Sequence, residues 1–200
     1  MREKPSIYLV RGKAVHEALA KLNDMDTRDL GDNVLKARLL ALYDQAWDKQ
    51  QTEIQKLQMN DSTLRGFHRE GAVMLANWFD RNQKELLHRA RRPQNEVKIF
   101  SQKHKVMGII DAIPGLGDEA MLVDYKTSRK DEINKDIKVQ MAIYALLHRE
   151  KFGKAPKQVA IDFLAPGTFK RFKVNQKLLR FAENLCREMH QKISAQDESA

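Results

Sequence analysis

The spacing of apolar residues first changes at Pro93, and that change constrains the fold more than any other feature. Before it, apolar residues recur every three or four positions, the period of a helix with one buried face. GKAVHEALAKLN over 12–23, and Leu35, Leu39, Leu42 and Ala46 within 32–58, predict helices. Asp61 or Ser62 reads as the N-cap of another, whose apolar face runs Phe67, Met74, Trp78 and Leu86; it ends in HRARRP, where Pro93 forbids continuation. After Pro93, VKIF, KVMGIIDAI and MLVDYKTS have strand character, and a GLGD turn at 115–118 predicts a hairpin between the last two. Helical spacing returns over 131–152 at Ile133, Ile137, Met141 and Tyr144 and stops before Pro156. KQVAIDFL and FKRFKV then read as strands around a PGT turn. A helix over 176–193 precedes the polar tail SAQDESA, which is expected to fray. The order predicts a mixed α/β fold, a central mixed sheet flanked by helices with a helical N-terminal third. One domain is expected over 1–200, comprising a helical part at 1–92, a sheet over 93–174 with the helix 131–152, and a C-terminal helix at 175–194.

At 42% hydrophobic and 32% charged residues, 200 residues suffice for one soluble domain with a single core. No run approaches the roughly 18 apolar residues of a membrane span, and MREKPSIYLVRGK has no apolar signal region, so a cytoplasmic chain is expected. The one cysteine, Cys186, makes no intramolecular disulfide and no four-thiolate zinc or iron–sulfur site; it reads as a small core residue in a helix. A net charge of +9 favours an anionic partner, nucleic acid ahead of membrane.

Asp111, Asp124 and Lys126 form the sharpest local constellation. Alternate residues of a strand share a face, so Asp124 and Lys126 project together, and Asp111 on the preceding strand lies across the hairpin from them. Converging carboxylates repel unless a cation neutralises them, and hard oxygen ligands suit Mg2+ or Mn2+. A lysine beside such a cation can hold or deprotonate an attacking water, or stabilise charge at phosphorus. On spacing alone, a solvated ion pair at a strand end is the commoner reading of Asp-x-Lys. Likewise a lone helical histidine such as His16 is more often a core or surface residue than a ligand. Gln140 and Tyr144, four apart, share a helix face and equally describe a pair packed on the sheet.

Taken in order, GKAVH, GIIDAI, LVDYKTS and a helix carrying QMAIY, followed by APKQVAIDFL, resemble the PD-(D/E)XK nuclease superfamily. The similar branch is the RecB-type nuclease domain, with CRISPR adaptation nucleases and small single-strand exonucleases. The resemblance implies a restriction-endonuclease-like core. It also implies that His16, Asp111 and Asp124, with the Tyr125 backbone carbonyl, ligate the metal, that Glu96 occupies a position often acidic, that Lys126 is the catalytic lysine, and that Gln140 and Tyr144 support the site. The adaptation branch usually carries four cysteines for an iron–sulfur cluster; one cysteine excludes it. Asp124 stands where Glu is commoner, which keeps the charge and shortens the reach by a methylene.

Basic residues cluster at 84–105 and 149–180. Arg89, Arg91, Arg92, Lys103, Lys105, Arg129 and Lys130 are candidates for tracking phosphates. No base-reading motif is present, and Trp47, Trp78 and Phe67 read as core and not as a stacking platform. His68, His88, His104, His148 and His190 read as surface residues. The expectation is a Mg2+- or Mn2+-dependent deoxyribonuclease, an exonuclease on single-stranded ends. The alternatives are a structure- or sequence-selective endonuclease of the same superfamily and a DNA-binding scaffold with a decayed site.

Overall fold

The predicted apolar stripes become buried faces, and they set most element boundaries. The computed structural model describes residues 6–27, 30–89, 91–115 and 119–197. Its elements are α1 (Ile7–Asp24), α2 (Asp32–Asp48), α3 (Gln51–Lys56), α4 (Asp61–His88), β1 (Gln94–Ser101), β2 (Val106–Ile113), β3 (Met121–Lys126), α5 (Lys135–Phe152), β4 (Gln158–Phe163), β5 (Thr168–Lys173) and α6 (Gln176–Asp197). This is the helical beginning and mixed α/β order expected. No helix among the described residues is long and apolar enough to cross a membrane.

The five strands form one sheet in sequence order. β2 and β3 are antiparallel, with Ala112 opposite Val123. Of the expected turn between them, residues 116–118 lie outside the described residues. The Lys157 N–H donates to the Ala120 carbonyl and the Leu164 N–H to the Lys126 carbonyl, both at 2.8 Å. β4 therefore advances in step with β3, the pattern of a parallel pair joined by the crossover helix α5. Gly167 N–H to Phe163 O (2.9 Å) and Val174 N–H to Lys157 O (3.1 Å) turn β4 back into β5.

The chain divides into two compact units. The first comprises Met1–Asn95, Tyr125–Asp131 and Asp162–Phe169. In it α1 packs on α2 and α4. Ala14, Val15, Ala18, Leu19 and Leu22 of α1, Leu35, Leu39, Tyr43 and Ala46 of α2, and Met74, Leu75 and Trp78 of α4 are all buried. Gly71 is required here, because any Cβ would run into the Tyr43 ring and hydroxyl. Tyr43 thus reaches α4 and donates to the His68 carbonyl at 3.1 Å. The second unit comprises Glu96–Asp124, Glu132–Ile161 and Lys170–Ala200. Its α5 packs on β2 and α6. Cys186 is buried there with Ala142, Leu146 and Ala182, as expected of a core cysteine.

Several local expectations are corrected. The helix expected over 32–58 breaks after Asp48, because the apolar stripe ends at Trp47 and only Ile54 is buried beyond it. Asn60, not Asp61 or Ser62, caps α4: its side chain accepts from the Thr63 N–H at 2.9 Å. α5 starts at Lys135 under the Asn134 cap. α6 continues to Asp197, into the tail expected to fray. Trp47 and Trp78 are core, but Phe67 is only half-buried. His148 is buried, its Nδ1 at 3.0 Å from the Lys154 carbonyl, and His104 is half-buried against Glu150 at 2.9 Å.

Candidate active site

Strand register brings the first two carboxylates together. One residue back from Ala112 on β2 and one on from Val123 on β3, Asp111 stands directly opposite Asp124. Like charges at such a cross-strand position destabilise a sheet. Asp124 is buried and Asp111 half-buried. A third carboxylate joins them from β1, where Glu96 and Asp111 each offer an oxygen within 4.8 Å of the other. Glu96 achieves this with φ of 48°, a left-handed conformation inside a strand. Such a departure re-aims a side chain, as bulges beside active sites do.

Helix α5 supplies the polar support. Gln140 Nε2 donates to Asp124 Oδ1 at 3.0 Å and to the Tyr144 hydroxyl at 2.9 Å. The spacing of four that places Gln140 and Tyr144 on one face therefore makes a chain from helix to carboxylate. Burial pushes the Tyr144 phenol well above its ordinary range, and the nearby charges of Asp124, Asp111 and Glu96 push the same way. Gly108 makes this packing possible, since a Cβ there would lie 2.8 Å from Leu147 and 2.9 Å from the Tyr144 ring.

The next residues of β3 belong to the first unit. Tyr125 is buried, its ring edge-on to His16 of α1 at 6.0 Å between centroids and to Trp78 at 6.3 Å. His16 is half-buried and lies beside the residue that follows Asp124. Lys126 is half-buried at the strand end, its carbonyl pinned by the Leu164 N–H. By strand alternation its side chain leaves on the face of Asp124.

The basic candidates differ in what they touch. The Arg89 guanidinium donates to Asn23 Oδ1 and to the carbonyls of Asn23 and Met25 (3.0–3.2 Å), closing the C-terminal end of α1. Arg92 donates to the Asp24 carbonyl at 2.7 Å. Arg91 is exposed. Lys103 and Lys105 are exposed in the β1–β2 turn, and Arg129 and Lys130 are exposed just beyond β3. Sequence reasoning gave no role to Arg81 and Asp162, which pair at 3.0 Å in the first unit. Burial raises the Asp162 carboxyl to about 6 although Arg81 pulls it down. No spacing signals a pair so distant in the chain.

An array of carboxylates around a tyrosine and a glutamine suits a hard divalent cation better than a soft one. The fold is similar to that of a crystal structure described as a "Putative exonuclease" from Eubacterium rectale. Its identity is 14%, its TM-score 0.58, and the alignment covers 96% of this chain and 68% of that one. A second crystal structure, of a protein called SSO0001, aligns over 92% of this chain and 76% of its own at 17% identity, with a TM-score of 0.32. No curated protein matches the sequence. The sequence profile of the PD-(D/E)XK nuclease superfamily matches residues 1–199, and on that match this chain is a member of the superfamily and a nuclease.

Proposed function

We propose that this nuclease is a divalent-metal-dependent deoxyribonuclease, acting as an exonuclease on single-stranded ends, with residues 1–200 as one nuclease domain. The observation that carries the reading is the gathering of Glu96, Asp111 and Asp124 beside Gln140 and Tyr144. Three carboxylates in one place repel each other, and a hard cation is the economical remedy. We assign His16, Asp111, Asp124, the Tyr125 carbonyl and Glu96 as its ligands. Mg2+ or Mn2+, when bound, supplies Lewis-acid polarisation of phosphate and a more acidic water.

The chain's own groups supply the rest. Gln140 holds Asp124 in one rotamer by donating to Oδ1, so that this carboxylate needs no reordering when substrate arrives. Tyr144 in turn fixes the Gln140 amide. Lys126, fixed at its backbone by β4, presents an ammonium to the non-bridging phosphate oxygens as charge grows on them, or steadies the attacking water. Arg91, Arg92, Lys103, Lys105, Arg129 and Lys130 follow the phosphates and read no bases, whereas Arg89, first expected among them, closes the C-terminal end of α1.

The test uses end-labelled linear and circular single-stranded DNA in Mg2+, Mn2+ or EDTA. Linear strands should be degraded with metal and survive in EDTA, while circles stay intact. Cleaved circles would replace the exonuclease reading with the endonuclease one, and cleavage in EDTA would remove the metal. No cleavage of any substrate would favour a binding scaffold.

A further inference from the structure

Tyr8 on α1 is 59% exposed, an unusual position for a large aromatic side chain in a helix whose other apolar residues are mostly buried. Its ring meets the half-buried Phe67 of α4 edge to face, 5.3 Å between centroids at 89°. Beneath both lies the Arg11 guanidinium, 5.5 Å from the Tyr8 centroid and 5.6 Å from that of Phe67. Arg11 is 1% exposed. Burying a guanidinium is costly unless its donors are used. Here Nη1 binds the Glu70 carboxylate and Nη2, at 3.2 Å, the carbonyl of Thr127. Glu70 also takes Arg129, whose side chain is 71% exposed, at 2.5 Å.

These contacts fix two rings on a buried cation and tie that cation to the residue directly after Lys126. The rings therefore rest on a fixed cation, and the exposed Arg129 guanidinium shares the Glu70 carboxylate that holds it, three residues on from the proposed catalytic lysine. We infer that the exposed Tyr8 ring, braced edge to face by Phe67, is a ledge on which an unpaired base of the substrate stacks, with Arg129 taking the adjoining phosphate. Every base has a π face, so the ledge is indifferent to sequence, and bases inside a duplex hide their faces, so it selects single strands. The inference deepens the proposed function and rests on it for the identity of the substrate.

The test separates stacking from cleavage. A single-stranded oligonucleotide carrying 2-aminopurine is titrated with protein in EDTA, so that binding is read without turnover. The wild type should quench the fluorescence on binding. Tyr8→Ala and the double variant Tyr8→Ala/Phe67→Leu should bind roughly tenfold more weakly and quench little. Tyr8→Trp, with a larger face, should restore both readouts. In Mn2+, the KM of the wild type for dT12 should be lower than for the same strand with abasic residues, and Tyr8→Ala should erase that difference. Quenching and affinity unchanged in Tyr8→Ala, in a protein with the wild-type melting curve, would overturn the ledge. So would an abasic strand bound as tightly as dT12. A protein that stacks in EDTA and cleaves nothing would instead overturn the nuclease assignment to DNA and leave the ledge standing.

Discussion

Glu96 holds a backbone conformation that costs a residue with a Cβ about 1 kcal/mol, in a place where its carboxylate faces that of Asp111. Both terms oppose folding, and both vanish in Glu96→Gly. That variant is expected to lose the upward shift of the melting temperature that Mn2+ gives the wild type. An undiminished Mn2+ shift would remove Glu96 from the ligand set. Asp162 makes a prediction of the opposite kind. Burial lifts its carboxyl from 3.8 to about 6. Between those values the folded chain holds a proton that the unfolded chain has released, so stability falls as pH rises through the window. The loss is at most roughly 3 kcal/mol, at 1.36 kcal/mol per unit. Asp162→Asn has nothing to titrate, so its stability relative to wild type should improve from pH 4 to pH 7 in urea unfolding. Parallel curves would show that Arg81 already holds the carboxylate ionised.

At the scale of elements, α5 and β2 act as one device. The β2 chain can approach α5 only because position 108 lacks a Cβ, and the same approach seats Tyr144, which fixes Gln140, which fixes Asp124. Gly108→Ala is therefore expected to destabilise by about 1–3 kcal/mol, as overpacking does. Its kcat should also fall further than that of an equally destabilised variant remote from α5. Equal kcat in the two would show that Tyr144 yields without disturbing Asp124. This device was half legible in the sequence. Period two on β2 and β3 puts Asp111, Asp124 and Lys126 on one face, and a spacing of four joins Gln140 to Tyr144. The stripe Ile133, Ile137, Met141, Tyr144 runs on to His148, so its burial was readable too, although a histidine suggests a surface. Phe67 lies on the same stripe as Met74 and Trp78, but near the start of α4, where it packs against the exposed Tyr8. Neither that pairing nor Arg81 with Asp162 leaves a periodic trace, because each joins residues far apart in sequence.

For the whole molecule, a charge of +9 sets the strength of attraction to an anionic partner, but the individual cations divide the work. Arg89 and Arg92 lie at the C-terminal end of α1, where unsatisfied carbonyls and the helix dipole favour a cation. Arg89 in particular has its donors committed to three acceptors there. Arg91, between them in sequence, is exposed. If Arg91 contacts a phosphate, it releases counterions when DNA binds. The logarithm of affinity for a single strand then falls against the logarithm of salt by roughly 0.7 per contact. Arg91→Glu should flatten that slope by about one contact and weaken all sequences alike, with the melting temperature unchanged. Arg89→Gln should do the reverse. It leaves the α1 carbonyls without their donor, costing on the order of 1–3 kcal/mol of stability, and leaves the salt slope in place. Binding is measured in EDTA at several salt concentrations, so that cleavage does not intrude. A slope unmoved by Arg91→Glu would assign the basic excess of this segment to solubility, and a slope flattened by Arg89→Gln would mean that its guanidinium leaves α1 for the phosphate when DNA binds.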